Sequence, residues 1–160
     1  MMLFKASPDK SVKIFTAVIS FLFLLSVIGL IGIFIVEKSI ILPVLSLVIL
    51  SAFVLAYVYR PVSYTISNEQ LLINRLAGDI VIPKASIKQV EVIDKDVVDG
   101  AFRTFGVGGL FGYFGKFSNA RFGSMTWYVS RMDKLVLLTT DTEKILLSPD
   151  DVEGFVAALI

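Results

Sequence analysis

The 160-residue chain contains no histidine and no cysteine. That removes imidazole general bases, thiolate nucleophiles and the ordinary zinc ligand sets in one step. The remaining carboxylates, lysines, serines and tyrosines show no spacing that matches a lysine-assisted serine nucleophile or a paired-carboxylate site. A non-enzyme with no cofactor and no metal is therefore expected. Asp94, Asp96 and Asp99 with Gly100 have a likeness to a calcium loop. The spacing is wrong by one, however, and no bidentate glutamate stands at the twelfth position, so ordinary turn chemistry explains them better. The glycines at 106, 108, 109, 112 and 115 invite comparison with a nucleotide loop. No Gly-Lys-Ser/Thr follows and the dinucleotide spacing is not met, which leaves tight turns and close backbone packing as their use.

The unusual chemistry lies in the aromatic segment around those glycines. Residues 102–128 hold nine of the nineteen aromatics, and between Asp99 and Asp133 the only charges are Arg103, Lys116, Arg121 and Arg131. Rings and cations without acids suit the headgroup boundary of a bilayer, and the same combination is favoured at protein interfaces. Against both uses stands the need of a small domain for a core, which would draw the rings inward. The candidate membrane or partner surface is Arg103, Phe105, Phe111, Phe114, Lys116 and Arg121. Whether 102–128 is core or interface stays open at this level.

The elements that must position this segment begin with two apolar runs. The chain is 56% hydrophobic with mean hydropathy +0.82, and the excess sits before Tyr59. Residues 14–36 carry no charge over 23 positions, and residues 40–59 form a second run of 20. Each meets the roughly 20 helical residues that a hydrocarbon core of about 30 Å requires. A signal peptide would have a shorter apolar region and a small-residue cleavage site. Pro43 falls in the first turn of the second run, where its missing N–H costs no helical bond. Tyr57, Tyr59 and Arg60 close that run with boundary chemistry. Segment 37–39 is the expected turn, so a helical hairpin follows with both flanks on one side. Lys5, Lys10, Lys13, Arg60 and Arg75 lie on that side against Lys38 on the other, which predicts a multi-pass cell-membrane protein with cytoplasmic termini. Segment 1–13 is read as the cytoplasmic N-terminal part.

From Val62 the periodicity changes to alternation. Strands are predicted at 62–67, 70–75, 80–83, 86–94, 123–131, 133–140 and 143–147, with an irregular middle. Ser148, Pro149, Asp150 and Asp151 predict a helix start with Ser148 as the N-cap, followed by an apolar face at Val152, Phe155, Val156 and Leu159. The fold class is thus a membrane helical hairpin plus a mainly β domain over 60–160. That domain has seven antiparallel strands in a partly open barrel or two-sheet arrangement, closed by a C-terminal helix. The stretch 64–73, then Ile82, Pro83, Ile87, Val90 and Glu91, the glycine-rich phrase 106–115 and the stretch 147–151 together resemble a bacterial pleckstrin-homology (PH) domain family often attached to membrane spans.

The resemblance implies a binding or scaffolding module and names no ligand. Eukaryotic PH domains that hold phosphoinositides use a basic cluster in the loop between their first two strands. Here that loop reads Ser67, Asn68, Glu69, Gln70. From Arg60 onward 11 basic residues face 12 acidic ones, so nucleic acid is not an expected partner. The expected function is a membrane-anchored module that organises a protein complex or docks on the membrane surface, with the lipid bilayer and a protein as partners. The alternative is an accessory or oligomeric subunit of a small transporter or channel. Against it, the spans lack the polar groups that solute paths need. Ser26, Gly29 and Gly32 give a small-residue stripe that permits close packing within the hairpin or in a homo-oligomer.

Overall fold

The computed structural model describes residues 1–37 and 40–160. A strand β1 (Met2–Lys5) precedes two long helices, α1 (Lys10–Glu37) and α2 (Ile41–Tyr59). Four strands follow: β2 (Ser63–Ile66), β3 (Gln70–Asn74), β4 (Ile80–Pro83) and β5 (Ile87–Ile93). After a one-turn helix α3 (Lys95–Val98) come β6 (Phe102–Gly108), β7 (Tyr113–Asn119), β8 (Gly123–Val129), β9 (Leu135–Thr140) and β10 (Lys144–Leu147). Helix α4 (Val152–Leu159) ends the described elements.

Asp9 starts α1 by accepting the Val12 N–H on Oδ1 at 2.7 Å, which satisfies one of the orphan donors of the first turn. The helix then continues for 28 residues to Glu37. Residues 38 and 39 of the expected turn lie outside the described residues. The helices pack antiparallel, with Phe23 stacked on Phe53 at 5.2 Å. Both are long and apolar enough to cross a membrane. Phe21, Ile28, Ile31, Leu47 and Val48 are among the many apolar side chains they leave exposed, whereas a soluble core helix would bury such residues.

The hairpin is an insertion within a sheet. β1 pairs antiparallel with β2, Met2 opposite Ile66 and Lys5 opposite Ser63, so the chain enters and leaves the helices from adjacent strands. The first sheet has the order β1-β2-β3-β4 and the second β5-β9-β10-β8-β7-β6. Among the described residues there are thus ten strands rather than the seven expected, in two open sheets and with no closed barrel. All seven expected strands form, and β1, β6 and β7 are added. The second sheet is also not wholly antiparallel, because β10 runs parallel to β8. The link from β8 to β9 steps across two strand spacings, about 10 Å, and β10 turns back into the slot so left.

The centre of the second sheet, β8, β9 and β10, is buried on both faces. Along β9, Val136 and Leu138 join Tyr64, Ile66, Leu71, Ile73, Leu147 and Phe155 in a core between the sheets. Leu135 and Leu137 point the other way, into a core with Val98, Phe117, Met125 and Trp127. The period-two alternation of side chains sorts one continuous apolar run into these two cores. Helix α4 closes the first core, but its cap is Asp151, which accepts the Gly154 N–H at 3.0 Å. Ser148, the expected cap, is fully buried and accepts the Ser130 N–H at 2.8 Å instead.

Tyr64 ties these parts together at 0% exposure. Its hydroxyl donates to the Tyr128 carbonyl at 2.6 Å and accepts the Ser148 N–H at 3.1 Å. Burial pushes its pKa up from 10.0 to about 12. The unfolded chain loses this proton first, so the contribution to stability is intact below about pH 10 and declines until about pH 12. Tyr64→Phe leaves a buried donor and a buried acceptor unpaired. It is expected to lower stability by about 1–3 kcal/mol and to flatten the decline between pH 10 and 12, as read by denaturant unfolding followed at Trp127, the only tryptophan.

Candidate interface at the hairpin root

Backbone and side-chain bonds stitch the segment before α1 to the β domain. Ser7 donates its N–H at 3.0 Å and its hydroxyl at 2.6 Å to the two oxygens of Asp150, and the Asp150 N–H returns to the Lys5 carbonyl at 2.9 Å. The Ser130 hydroxyl donates to the Ser7 carbonyl at 3.3 Å, and the Met132 N–H to Asp9 Oδ2 at 3.3 Å. Arg131 reaches Asp150 at 3.3 Å and Asp133 at 2.6 Å. Burial alone would raise the Asp150 carboxyl, but the Ser7 bonds and the Arg131 guanidinium outweigh it and hold the group below the usual carboxylate range.

A second clamp comes from the turn between β6 and β7. The Gly109 N–H donates to the Gly112 carbonyl at 2.9 Å, and Phe111 between them adopts φ 60°. That region costs an L-residue about 1–2 kcal/mol, so other contacts must offset it. The Phe111 N–H donates to Thr16 Oγ1 of α1 at 2.9 Å. Its ring meets Phe53 and Tyr57 of α2 edge-on at 5.2 and 5.3 Å. The Arg60 guanidinium lies 4.1 Å over the Tyr57 ring and 5.7 Å from that of Phe111. The β domain therefore grips both helices near their sheet ends.

The candidate residues separate into different environments. Phe111 is the clamp just described, and Phe114 is buried. Lys116 is bound to Glu143 Oε2 at 2.7 Å and to Thr126 Oγ1 at 2.6 Å. Burial would raise the Glu143 carboxyl, but the bonds from Lys116 and Thr126 lower it. Such a half-exposed pair contributes at most about 1 kcal/mol and leaves Lys116 committed within the sheet. Arg121 sits 5.4 Å over its neighbour Phe122. Arg103 and Phe105 lie on β6, the edge strand of the second sheet.

Strand β6 is exposed along most of its length, with Phe102 at 62% and Phe105 at 78%. These rings stand three residues apart, which in a regular strand puts them on opposite faces. The register shifts between Arg103 and Phe105, so Thr104 is an extra residue and its hydroxyl donates to the Lys116 carbonyl at 3.1 Å. The bulge returns Phe102 and Phe105 to one face, that of Lys116. Next to it, Gly106 faces Gly115 at φ +113° and +120°, and a Cβ on Gly106 would meet the Phe114 carbonyl oxygen at 2.2 Å. Beyond the pair, Phe117 stacks on Trp127 at 4.1 Å, so the inner rings of the segment serve the core. Thr16, Ser7, Asp9 and Asp150 complete the root. Their chemistry gave no signal in sequence, since Ser7 and Asp150 lie 143 positions apart.

A family model described as bacterial PH domain matches residues 62–160, more than half of the chain. The chain belongs to the bacterial PH-domain family. No curated protein and no solved structure matches it. The match begins at Val62, so β1 lies outside it and yet forms the edge of the first sheet of the PH domain. The phosphoinositide-type basic loop is missing, as the turn 67–70 between β2 and β3 carries Glu69 and no cation.

Phe111→Gly relieves the backbone strain but removes the ring from Phe53 and Tyr57. It is expected to raise amide exchange over residues 109–112 at least tenfold, and an unchanged rate would mean that the clamp holds without the ring. Asp150→Asn is expected to cost about 1.5–3 kcal/mol at neutral pH. The native carboxylate contributes stability above its unfolded pKa near 3.8 and loses it as pH falls through its lower folded value. Urea unfolding from pH 6 down to pH 2 should therefore show a steeper acid decline for the native chain than for the variant.

Proposed function

We propose that this PH-domain protein is a non-catalytic module held at the cell membrane by its own two-pass hairpin, with both chain ends in the cytoplasm, and that it offers the β6 edge to a protein partner. The observation that carries the reading is the insertion of the hairpin between two paired strands. Two peptide connections and the Phe111 clamp fix the domain's orientation, which a module acting by position requires. The exposed apolar flanks of α1 and α2 are stable in hydrocarbon and costly in water. Lys5, Lys10 and Lys13 before the hairpin and Arg60 and Arg75 after it favour the cytoplasmic side for the domain. Removing α1 as a cleaved leader would also strip β1 from the first sheet.

The β6 edge suits a partner that adds a strand. Its outer backbone groups face no neighbouring strand among the described residues, while Phe102 and Phe105 on one face, and Arg103 on the other, supply anchors of the type interfaces favour. A transporter subunit is less well supported. The groove between the helices is lined by Phe23, Leu30, Phe34 and Leu50, and its Ser46 hydroxyl is bonded to the Leu42 carbonyl.

Because the native chain has no cysteine, a thiol introduced as Lys95→Cys is unique. It should resist a membrane-impermeant maleimide in intact cells and react once they are opened. A photoreactive residue at 105 should cross-link a discrete protein in native membranes, and one at 88 should not. Labelling from outside would overturn the orientation, and absence of any cross-link at 105 would overturn the partner reading. A product of twice the chain's mass would identify the partner as a second copy.

A further inference from the structure

A cavity of about 690 Å³ opens where the hairpin meets the PH domain. Lys5 at the end of β1, Lys13 in the first turn of α1 and Arg60 directly after α2 all line it. No aspartate or glutamate does. Two carboxylates bonded to or beside lining residues are already engaged, Asp9 capping α1 and Asp150 holding Ser7 and Arg131. Among the described residues, Lys5, Lys13 and Arg60 form no salt bridge. The rest of the wall is mostly apolar, including Val12, Ala17 and Phe111, and it is continuous with the exposed apolar flanks of the helices. Such a pocket is cationic at its mouth and oily along its helix side.

We propose that this cavity holds the headgroup phosphate of an anionic phospholipid, with its acyl chains against α1 and α2. Charge complementarity selects the ligand. Three cations without a facing acid favour a phosphate, and an apolar wall leading onto two lipophilic helices favours one that carries chains. The three cations come from β1, from the first turn of α1 and from the residue after α2, so the site exists only because the helices are inserted between β1 and β2. It lies apart from the β2–β3 turn, where the family's eukaryotic relatives place their basic cluster. The inference rests on the membrane reading of the hairpin.

The test uses the full chain in nanodiscs made from equal amounts of phosphatidylglycerol and phosphatidylcholine, released into native mass spectrometry to identify retained lipid. The native chain should keep one phosphatidylglycerol selectively. The Lys5→Gln, Lys13→Gln pair should reduce that selectivity roughly 30-fold, since each cation near an anionic headgroup contributes a factor of about five. Arg60→Gln should weaken it separately, and a Lys88→Gln, Lys95→Gln control on β5 and α3 should leave it unchanged. Trp127 emission identical to that of the native chain shows that each variant is folded. Equal retention of the two lipids, or selectivity that survives both sets of root substitutions, overturns the site. Displacement of the lipid by glycerol phosphate at equal concentration would make the occupant a soluble anion and also overturns it. A chain that does not enter nanodiscs at all refutes the membrane reading itself, an outcome distinct from loss of selectivity.

Discussion

The antiparallel pairing of β1 with β2 brings the two ends of the helical hairpin to one strand spacing, about 4.8 Å. Two neighbouring helices pack their axes roughly 8–10 Å apart, so chains leaving adjacent strands need little lateral travel to reach them. The short stretches 6–9 and 60–62 make that travel, and both are held by bonds to the domain: Ser7 to Asp150, Asp9 to Met132, and Val62 to Asn74 at 2.9 Å. Without the pairing, the hairpin would be a flexible tether. With it, the first sheet of the PH domain and the two helices share one framework, and the turn of β6 and β7 can reach the helices at a fixed height.

Electrostatics follow from the same geometry. Several cations of the β domain are committed to local partners, as Lys88 to Asp141, Lys116 to Glu143 and Arg131 to Asp133 show. At the hairpin root, by contrast, Lys5, Lys13 and Arg60 form no salt bridge among the described residues. The excess positive charge counted between Asp99 and Asp133 therefore overstates what that segment presents, because Glu143 approaches it from the β9–β10 turn and Asp133 from the link to β9. Counting charge along the chain could not anticipate an acid such as Glu143, supplied from a distant turn.

Much of the fold was nonetheless legible. Alternation marked β2, turn residues set off β3, β4, β8, β9 and β10, and the uncharged runs marked both helices. The three missed strands share physical causes. Residues 2–5 are too short to show a period and lie next to a helix whose hydropathy dominates the N-terminal region. In β6 the bulge at Thr104 breaks the alternation, and in β6 and β7 glycine at 106, 108 and 115 lowers strand preference while the close cross-strand approach requires it. Division of the aromatics between core and surface was equally hidden, since it depends on which face of the sheet each ring takes. Ser148 had the right chemistry for a cap, but its burial beneath Tyr64 gave the hydroxyl a different partner and passed the cap to Asp151.

Insertion of the hairpin between two strands of one sheet also imposes an order on biogenesis. β1 leaves the ribosome first, yet its hydrogen-bond partner β2 follows more than fifty residues later, after both apolar helices. Closing so long a loop by diffusion is slow, and on the proposed membrane reading the intervening helices must first find lipid if they are not to collapse on the nascent sheet. Until they do, β2 displays a bare edge and the root lacks Ser7, Lys5 and Lys13. On the membrane reading proposed above, completion of the first sheet would follow insertion of the hairpin: a chain whose hairpin has failed to insert keeps an open β edge, the kind of defect that quality-control proteases and aggregation act on.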